Sequence, residues 1–353
     1  MVTIDGVFTA YYEFRKGKRN KKDVLEFEAG LEENLFDLYQ DLVSGNYKHG
    51  PYHQFSISDP KPRQISKATV RDRVVHHLVY KKLSEIYEPI FIYDSYSSRC
   101  GKGTHKAVER LSEFIRRGDS ANRPDDRATQ RVAPTIIKCD IKKFFDSVDH
   151  EILIQILEEK IKDKRFTGLL KEIICSFSVE TNGHSSLQYK KGIPLGNVTS
   201  QIFANIYLNE LDQFIKHRLK IKHYIRYSDD MIMVMPIHWY GWGCRGLINQ
   251  TPTNEIECFL QENLKLQLHP YKISIRKLNQ GIDFLGYVVF SDHIVLRTKT
   301  KRRILRKVGA ENFLPLRAQS YFTLLKWCKN YKIRLNICKI ICKKWSGINQ
   351  KNN

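Results

Sequence analysis

No run of apolar residues in this 353-residue chain approaches the roughly 18 needed to span a bilayer. Residues Met1 to Arg19 lack the apolar block and small-residue cleavage site of a secretion signal. The eight cysteines form no Cys-x-x-Cys pair, which argues against a zinc site. Cys338 and Cys342 share a helical face but have no second pair, so they read as packing thiols. No internal repeat is visible, which sets repeat architectures aside. The expectation is a reduced, intracellular, cytoplasmic protein with no membrane partner. Acidic residues are scarce as well, 38 against 59 lysines and arginines, for a formal net charge of +21. From Arg297 onward sixteen basic residues face one acid, Glu311. An excess of that size implies a polyanionic partner, with RNA or DNA ahead of a membrane surface.

What is present suits a folded chain. Hydrophobic residues make up 42%, enough at this length for two or three subdomains. Val24, Phe27, Leu31, Leu35 and Leu38 recur at helical spacing and predict a helix within 20–50, ended by Gly45 and Gly50-Pro51. Further helices are expected over 67–85, opened by Arg71-Asp72-Arg73, and over 106–117, 149–162, 166–176 and 254–266. Ser97 to His105 is a glycine-broken basic turn, and 118–134 a polar surface loop. Thr135 to Cys139 reads as a buried strand with Asp140 at its end, and more strands are expected over 271–276, 282–290 and 293–297. Gly192 to Gln201 is a glycine-rich turn opening a long helix that carries Ile202, Phe203, Ile206, Leu208, Leu211 and Phe214. Residues 236–254 form an irregular excursion, and the basic segment after Arg297 is helical.

The chemistry centres on Tyr224 to Met235. Two β-prone runs flank a polar apex, which reads as a hairpin with Asp229 and Asp230 at its turn. Adjacent carboxylates repel and are costly to hold without a cation. The pair therefore reads as ligands for a hard divalent ion such as Mg²⁺, against the plainer reading of a turn that simply favours Asp. Asp140 supplies a third carboxylate. Three such groups from two neighbouring strands suit two-metal phosphoryl transfer, and the Ile141 carbonyl adds a further hard oxygen. Asp146 and Asp149 fall on the following helical turn and read as caps or surface residues.

Several blocks resemble one family. Lys138 to Val148 resembles motif A of reverse transcriptases, and Tyr227-Ser228-Asp229-Asp230 their Tyr-x-Asp-Asp motif. Arg63 with Ile65 and Arg71-Asp72-Arg73 is similar to the fingers block, and Gly281 to Tyr287 to the primer-grip hairpin. The blocks fall in the family's order across roughly residues 55 to 297. Leu195-Gly196 and Ser200-Gln201 stand where most members carry Gln-Gly and Ser-Pro, which, with Arg99 to Ala107, resembles the reverse transcriptases of diversity-generating retroelements.

That resemblance implies an α+β right-hand polymerase fold. An N-terminal extension and fingers would occupy 1–134, a palm of antiparallel sheet and helices 135–296, and a basic helical thumb 297–353, too short for a nuclease or maturase domain. It implies an RNA-directed DNA polymerase with Asp140, Asp229 and Asp230 as catalytic and, with Ile141, metal-binding residues for two Mg²⁺ ions. Lys61, Arg63, Phe144, Phe145, Leu195, Gly196, Gln201 and Lys272 would meet the dNTP, with Phe145 as a gate against the ribose 2′-hydroxyl. Phe144 and Phe145 also read as core residues, and Leu195 as a packed one. Arg99, Lys102, Tyr227, Gly286, Arg302 and Arg303 would contact nucleic acid. The implied partners are a template RNA, its cDNA duplex, and a small basic accessory protein, oligomeric, of the accessory variability determinant kind. The implied origin is bacterial, archaeal or phage, and the product a cDNA mutated opposite adenines that diversifies a target gene. Leu195 fits that outcome, since an apolar contact senses nucleotide geometry less than a hydrogen-bonding one. Rival expectations are a retron-type or defence-associated reverse transcriptase and a non-catalytic RNA-binding scaffold.

Overall fold

The computed structural model describes residues 2–58, 62–120, 135–177, 191–235, 252–277, 280–310, 318–329 and 331–349. Three N-terminal helices come first: α1 (Ile4–Arg15), α2 (Lys22–Glu28) and α3 (Leu31–Ser44). The expected single helix over 20–50 is thus two, parted at Ala29-Gly30, where the Asn34 amide donates to the Phe27 carbonyl. Gly45, at φ 79, ends α3 in the left-handed conformation that glycine adopts without strain.

A two-stranded hairpin follows, β1 (His53–Ile57) against β2 (Arg63–Lys67). Because Lys67 belongs to β2, the next helix, α4 (Val70–Tyr87), starts later than its composition predicts. Thr69 caps it by accepting from the Asp72 amide. Then come α5 (Thr104–Ser120), β3 (Thr135–Asp140), the short α6 (Phe144–Ser147), α7 (His150–Lys160), α8 (Lys164–Cys175) and α9 (Val198–Gln213). The chain continues through β4 (His223–Tyr227), β5 (Asp230–Met235), α10 (Pro252–Leu264) and β6 (Ser274–Lys277). The expected strand over 271–276 begins instead as a 3₁₀ turn at Pro270–Lys272, since proline pre-sets that turn and cannot donate to a ladder. The expected strand over 282–290 is a hairpin, β7 (Ile282–Phe284) and β8 (Tyr287–Val289), followed by β9 (Ile294–Leu296). Leu285 (φ 49) and Gly286 (φ 88) make its turn. Three helices close the chain: α11 (Thr298–Gly309), α12 (Ala318–Leu325) and α13 (Tyr331–Asn349).

The central sheet is antiparallel in the order β4-β5-β3-β6. Strand alternation divides its side chains between two cores. Ile137, Cys139, Met231, Met233 and Met235 join a core built with α1, α4, α9 and α10. Ile136, Ile225, Ile232 and Val234 join a second, closed by α5, the β7–β9 sheet and α11. With both faces covered, β5 is buried from Met231 to Met235, and each such side chain contributes about 1.5–3 kcal/mol of transfer free energy.

Candidate functional site

The register of β3 and β5 sets Asp140 directly opposite Asp230. Tyr227 pairs with Asp230 and closes the β4–β5 hairpin, so the turn is Ser228-Asp229 and Asp230 is the first residue of β5. This corrects the expectation that both aspartates sit at the turn. Ser228 takes φ 56, a left-handed conformation unusual for a residue with a side chain.

Asp140 and Lys138 on β3 share the sheet face of Ile136, and Asp230 on β5 that of Ile232 and Val234. Where the apolar residues stop, a cleft of about 380 Å³ opens, lined in part by Lys138, Asp140, Asp230, Lys272, Asp283 and Arg297. Lys272 Nζ donates to Asp140 Oδ1 at 2.7 Å, which brings two expected site residues together. Lys138, which sequence reasoning left without a role, lies 3.3 Å from Asp230 and donates to the Asp283 carbonyl at 3.1 Å. Its signal was available, because it stands two residues before Asp140 on one strand face. Burial first, and then the charges of Asp140 and Asp230, hold the Asp229 carboxyl above the ordinary carboxylate value. Relief of that crowding is what a hard dication offers, and the donor set of carboxylate oxygens fits one. Among the described residues no group of three His, Cys, Asp or Glu is already gathered at metal-ligand spacing. Lys138 and Lys272 hold two of the carboxylates instead.

Ile141 is buried, and its backbone is fixed on both sides: His269 N–H donates to the Asp140 carbonyl at 2.8 Å and Lys142 N–H to that of Gln267 at 2.9 Å. Phe144 and Phe145 part company. Phe144 lies in the core, whereas Phe145 is half-buried, edge-on to it at 5.3 Å. The Phe145 carbonyl accepts from the Ile193 N–H at 2.8 Å, which ties this turn to the Leu195-Gly196 block.

That block is pinned in turn to β2. Ser66 N–H donates to the Leu195 carbonyl at 2.9 Å, and the Asn197 amide bonds both the Ser66 carbonyl and the Ala68 N–H. Gly196 is required here: at φ +112, a Cβ would stand 2.6 Å from Ile65 Cγ2. Leu195 is half-buried, and Gln201 is exposed on the first turn of α9. Arg63 is exposed at the start of β2, and Lys61 lies outside the described residues.

The expected nucleic-acid contacts scatter. Arg99 is spent inside the fold: its guanidinium grips Glu88 at 2.8 and 3.0 Å, donates to the carbonyls of Ile92 and Ser95, and stacks on Phe91. Lys102 sits over the Tyr93 ring and donates to the Tyr93 carbonyl. The Tyr227 hydroxyl accepts from Thr104, and the Gly286 carbonyl from Arg297 N–H. Arg302 is exposed and Arg303 half-buried on α11, which packs inward through Ile304 and Val308. Asp149 caps α7 and pairs with Lys265, while Asp146 is exposed.

The family described as reverse transcriptase (RNA-dependent DNA polymerase) matches residues 57–289, about two thirds of the sequence. The chain belongs to the reverse transcriptase family. It is 26% identical over 318 residues to protein YkfC of Escherichia coli, a match covering 80% of this chain and 76% of that one. It is 25% identical over 400 residues to the group II intron-encoded protein LtrA of Lactococcus lactis, with 89% and 62% covered. A putative COX1/OXI3 intron 2 protein of Saccharomyces cerevisiae is 24% identical, with 86% of this chain and 39% of the yeast protein covered. This reverse transcriptase chain therefore spans only part of the length of such relatives. Its fold is similar to that of telomerase from Candida albicans, solved with a fragment of telomeric RNA, at a TM-score of 0.53, 14% identity and coverage of 85% and 55%. The fold is α+β and of the right-hand polymerase kind. No described helix is long and apolar enough to cross a membrane.

Proposed function

We propose that this chain is an RNA-directed DNA polymerase that extends a primer on an RNA template. The observation that carries this is the register setting Asp140 opposite Asp230, with Asp229 in the adjoining turn. Asp140, Asp229, Asp230 and the Ile141 carbonyl would hold two Mg²⁺ ions. When bound, the ions lower the cost of the 3′-hydroxyl's attack and of charge on the transferred phosphoryl group. Arg63 and Lys61 grip the triphosphate, and Lys272, released from Asp140, neutralises the departing pyrophosphate. Phe145 excludes a 2′-hydroxyl, and Leu195 and Gly196 floor the nucleotide, with Gln201 at its edge. In this division residues 1–134 are extension and fingers, 135–296 palm and 297–353 thumb.

The finer reading is a diversity-generating enzyme that works with a small basic accessory protein and misincorporates opposite adenine. It is supported by Leu195-Gly196 and Ser200-Gln201, where Leu195 offers the nucleotide no hydrogen bond. A second reading, a faithful intron- or retron-type enzyme, is favoured by the similarity to LtrA over 89% of the chain. Sequencing the cDNA made from a defined RNA with Mg²⁺ and dNTPs, with and without the accessory protein, separates the two. Errors concentrated at template adenines support the first, and an even, low error spectrum the second. Loss of product in Asp229→Ala and Asp230→Ala is expected under both. RNA binding without product in the unmodified chain would leave only a scaffold.

A further inference from the structure

The Ser228-Asp229 turn carries a residue in a strained conformation at the point where the carboxylates must be placed most accurately. What holds it lies beneath, in a network that composition gives no hint of. Arg226, on β4, has no exposed surface, and neither does Asp212 near the end of α9. The guanidinium grips Asp212 through Nε (2.8 and 3.0 Å) and Nη2 (2.7 Å). Its remaining nitrogen, Nη1, donates to Asn205 Oδ1 at 3.1 Å and to the Ser228 carbonyl at 3.3 Å. Tyr224 donates its hydroxyl to Asp212 at 2.7 Å, and Asn205 reaches the Ser97 carbonyl at 2.9 Å. The Arg226 backbone is fixed too, pairing with Asp94 and Tyr96 at 3.0 Å each.

A buried ion pair contributes little net stability over apolar packing, so stability alone does not account for charge at this depth. A planar guanidinium does something no lysine or apolar residue can: it binds a carboxylate through one edge and still presents a fixed donor elsewhere. Here that donor meets the carbonyl immediately before Asp229. We propose that Arg226, itself aimed by Asp212 and Asn205, is a positioning residue that holds the Ser228-Asp229 turn so that Asp229 meets the metal. The inference rests on the proposed metal role of Asp229. Groups that orient a metal's ligands from behind typically set affinity by 10–100-fold.

The test uses Mn²⁺ as a spectroscopic probe, titrated by electron paramagnetic resonance into the whole chain without nucleic acid, beside thermal melting. In the Arg226→Leu/Asp212→Leu pair no unpaired buried charge remains, so the chain stays folded, its melting lowered by the lost partners of the Tyr224 hydroxyl and Asn205 Oδ1, while Mn²⁺ affinity read well below that melt falls about tenfold or more. Arg226→Lys, which keeps the charge but not the fork, shows the same loss. Ser228→Gly leaves the buried network untouched and keeps Mn²⁺ affinity within about twofold, since the hold is on the backbone carbonyl. Unchanged affinity in both Arg226 variants, or a Ser228→Gly variant that alone loses it, overturns the positioning role. So does a loss of affinity only in step with unfolding. Absence of Mn²⁺ binding by the unmodified chain would instead overturn the metal reading beneath it.

Discussion

Every residue of β1 is exposed, whereas β5 is buried from Met231 to Met235. The two strands belong to the elements that carry the two halves of the proposed reaction, β1 as the partner of the Arg63 strand β2. Asp230 opens β5 and Asp140 ends its neighbour β3, so the carboxylates stand on strands locked between two cores. Arg63 sits on a two-stranded hairpin, an element of marginal stability alone, which is fastened by Ser66 and Ala68 to the Leu195–Asn197 turn. Transition-state charge is best met by groups that need not move. A nucleotide must enter and leave, and an exposed hairpin on a short tether can move with it.

The largest effect belongs to the locked half. Asp229→Asn should reduce polymerisation about 10³-fold or more, the scale for removing a group that meets developing charge. In chelator its melting temperature should hold or rise, because crowding among Asp140, Asp229 and Asp230 is relieved by up to about 1 kcal/mol. A variant that loses activity by melting early would show that the carboxylates support the fold instead.

Next comes the tether. Gly196→Ala would drive a methyl into Ile65 and strain a φ of +112, at about 1–3 kcal/mol. The expected result is a dNTP KM raised about tenfold with kcat less affected, and partial recovery in Gly196→Ala/Ile65→Ala, which removes the clash but not the strain. Equal losses in kcat and KM would mean the hairpin is as fixed as the sheet. Phe145→Ala tests the surface between the two regions. It should narrow discrimination against ribonucleotides by about 10–100-fold, read by competition of rNTPs with dNTPs, with little change in melting.

Much of this was legible because it is local. The strand ending in Asp140, the caps at Asp149 and the left-handed Gly45 follow from neighbours in the chain. α1 is legible on the same ground, with Thr3 as cap and Val7, Ala10, Tyr11 and Phe14 at helical spacing. Other features depend on partners far away in sequence. The need for glycine at 196 comes from Ile65, and the fate of Arg99 from Glu88. Arg226 reads as one more cation in a basic chain until Asp212 is folded beneath it. Charge counts report how many cations there are, whereas only packing says which remain available to phosphate.

That distinction gives the smallest and most diagnostic prediction. Arg302 is exposed on α11, while the Arg99 side chain is 7% exposed and already bound to Glu88. If α11 tracks a duplex backbone, Arg302→Gln should leave melting unchanged and weaken template–primer binding uniformly across sequences. The slope of log affinity against log salt should fall by about one phosphate contact. Arg99→Gln should do the reverse, costing about 1–3 kcal/mol of stability through the unpaired Glu88 and the lost carbonyl contacts, with the salt slope intact. Fluorescence anisotropy over a salt series, beside thermal melts, reads both. A slope that falls for Arg99→Gln and not for Arg302→Gln would move the duplex from α11 toward the turn before α5. The sixteen basic residues from Arg297 onward would then lie off the path of the duplex.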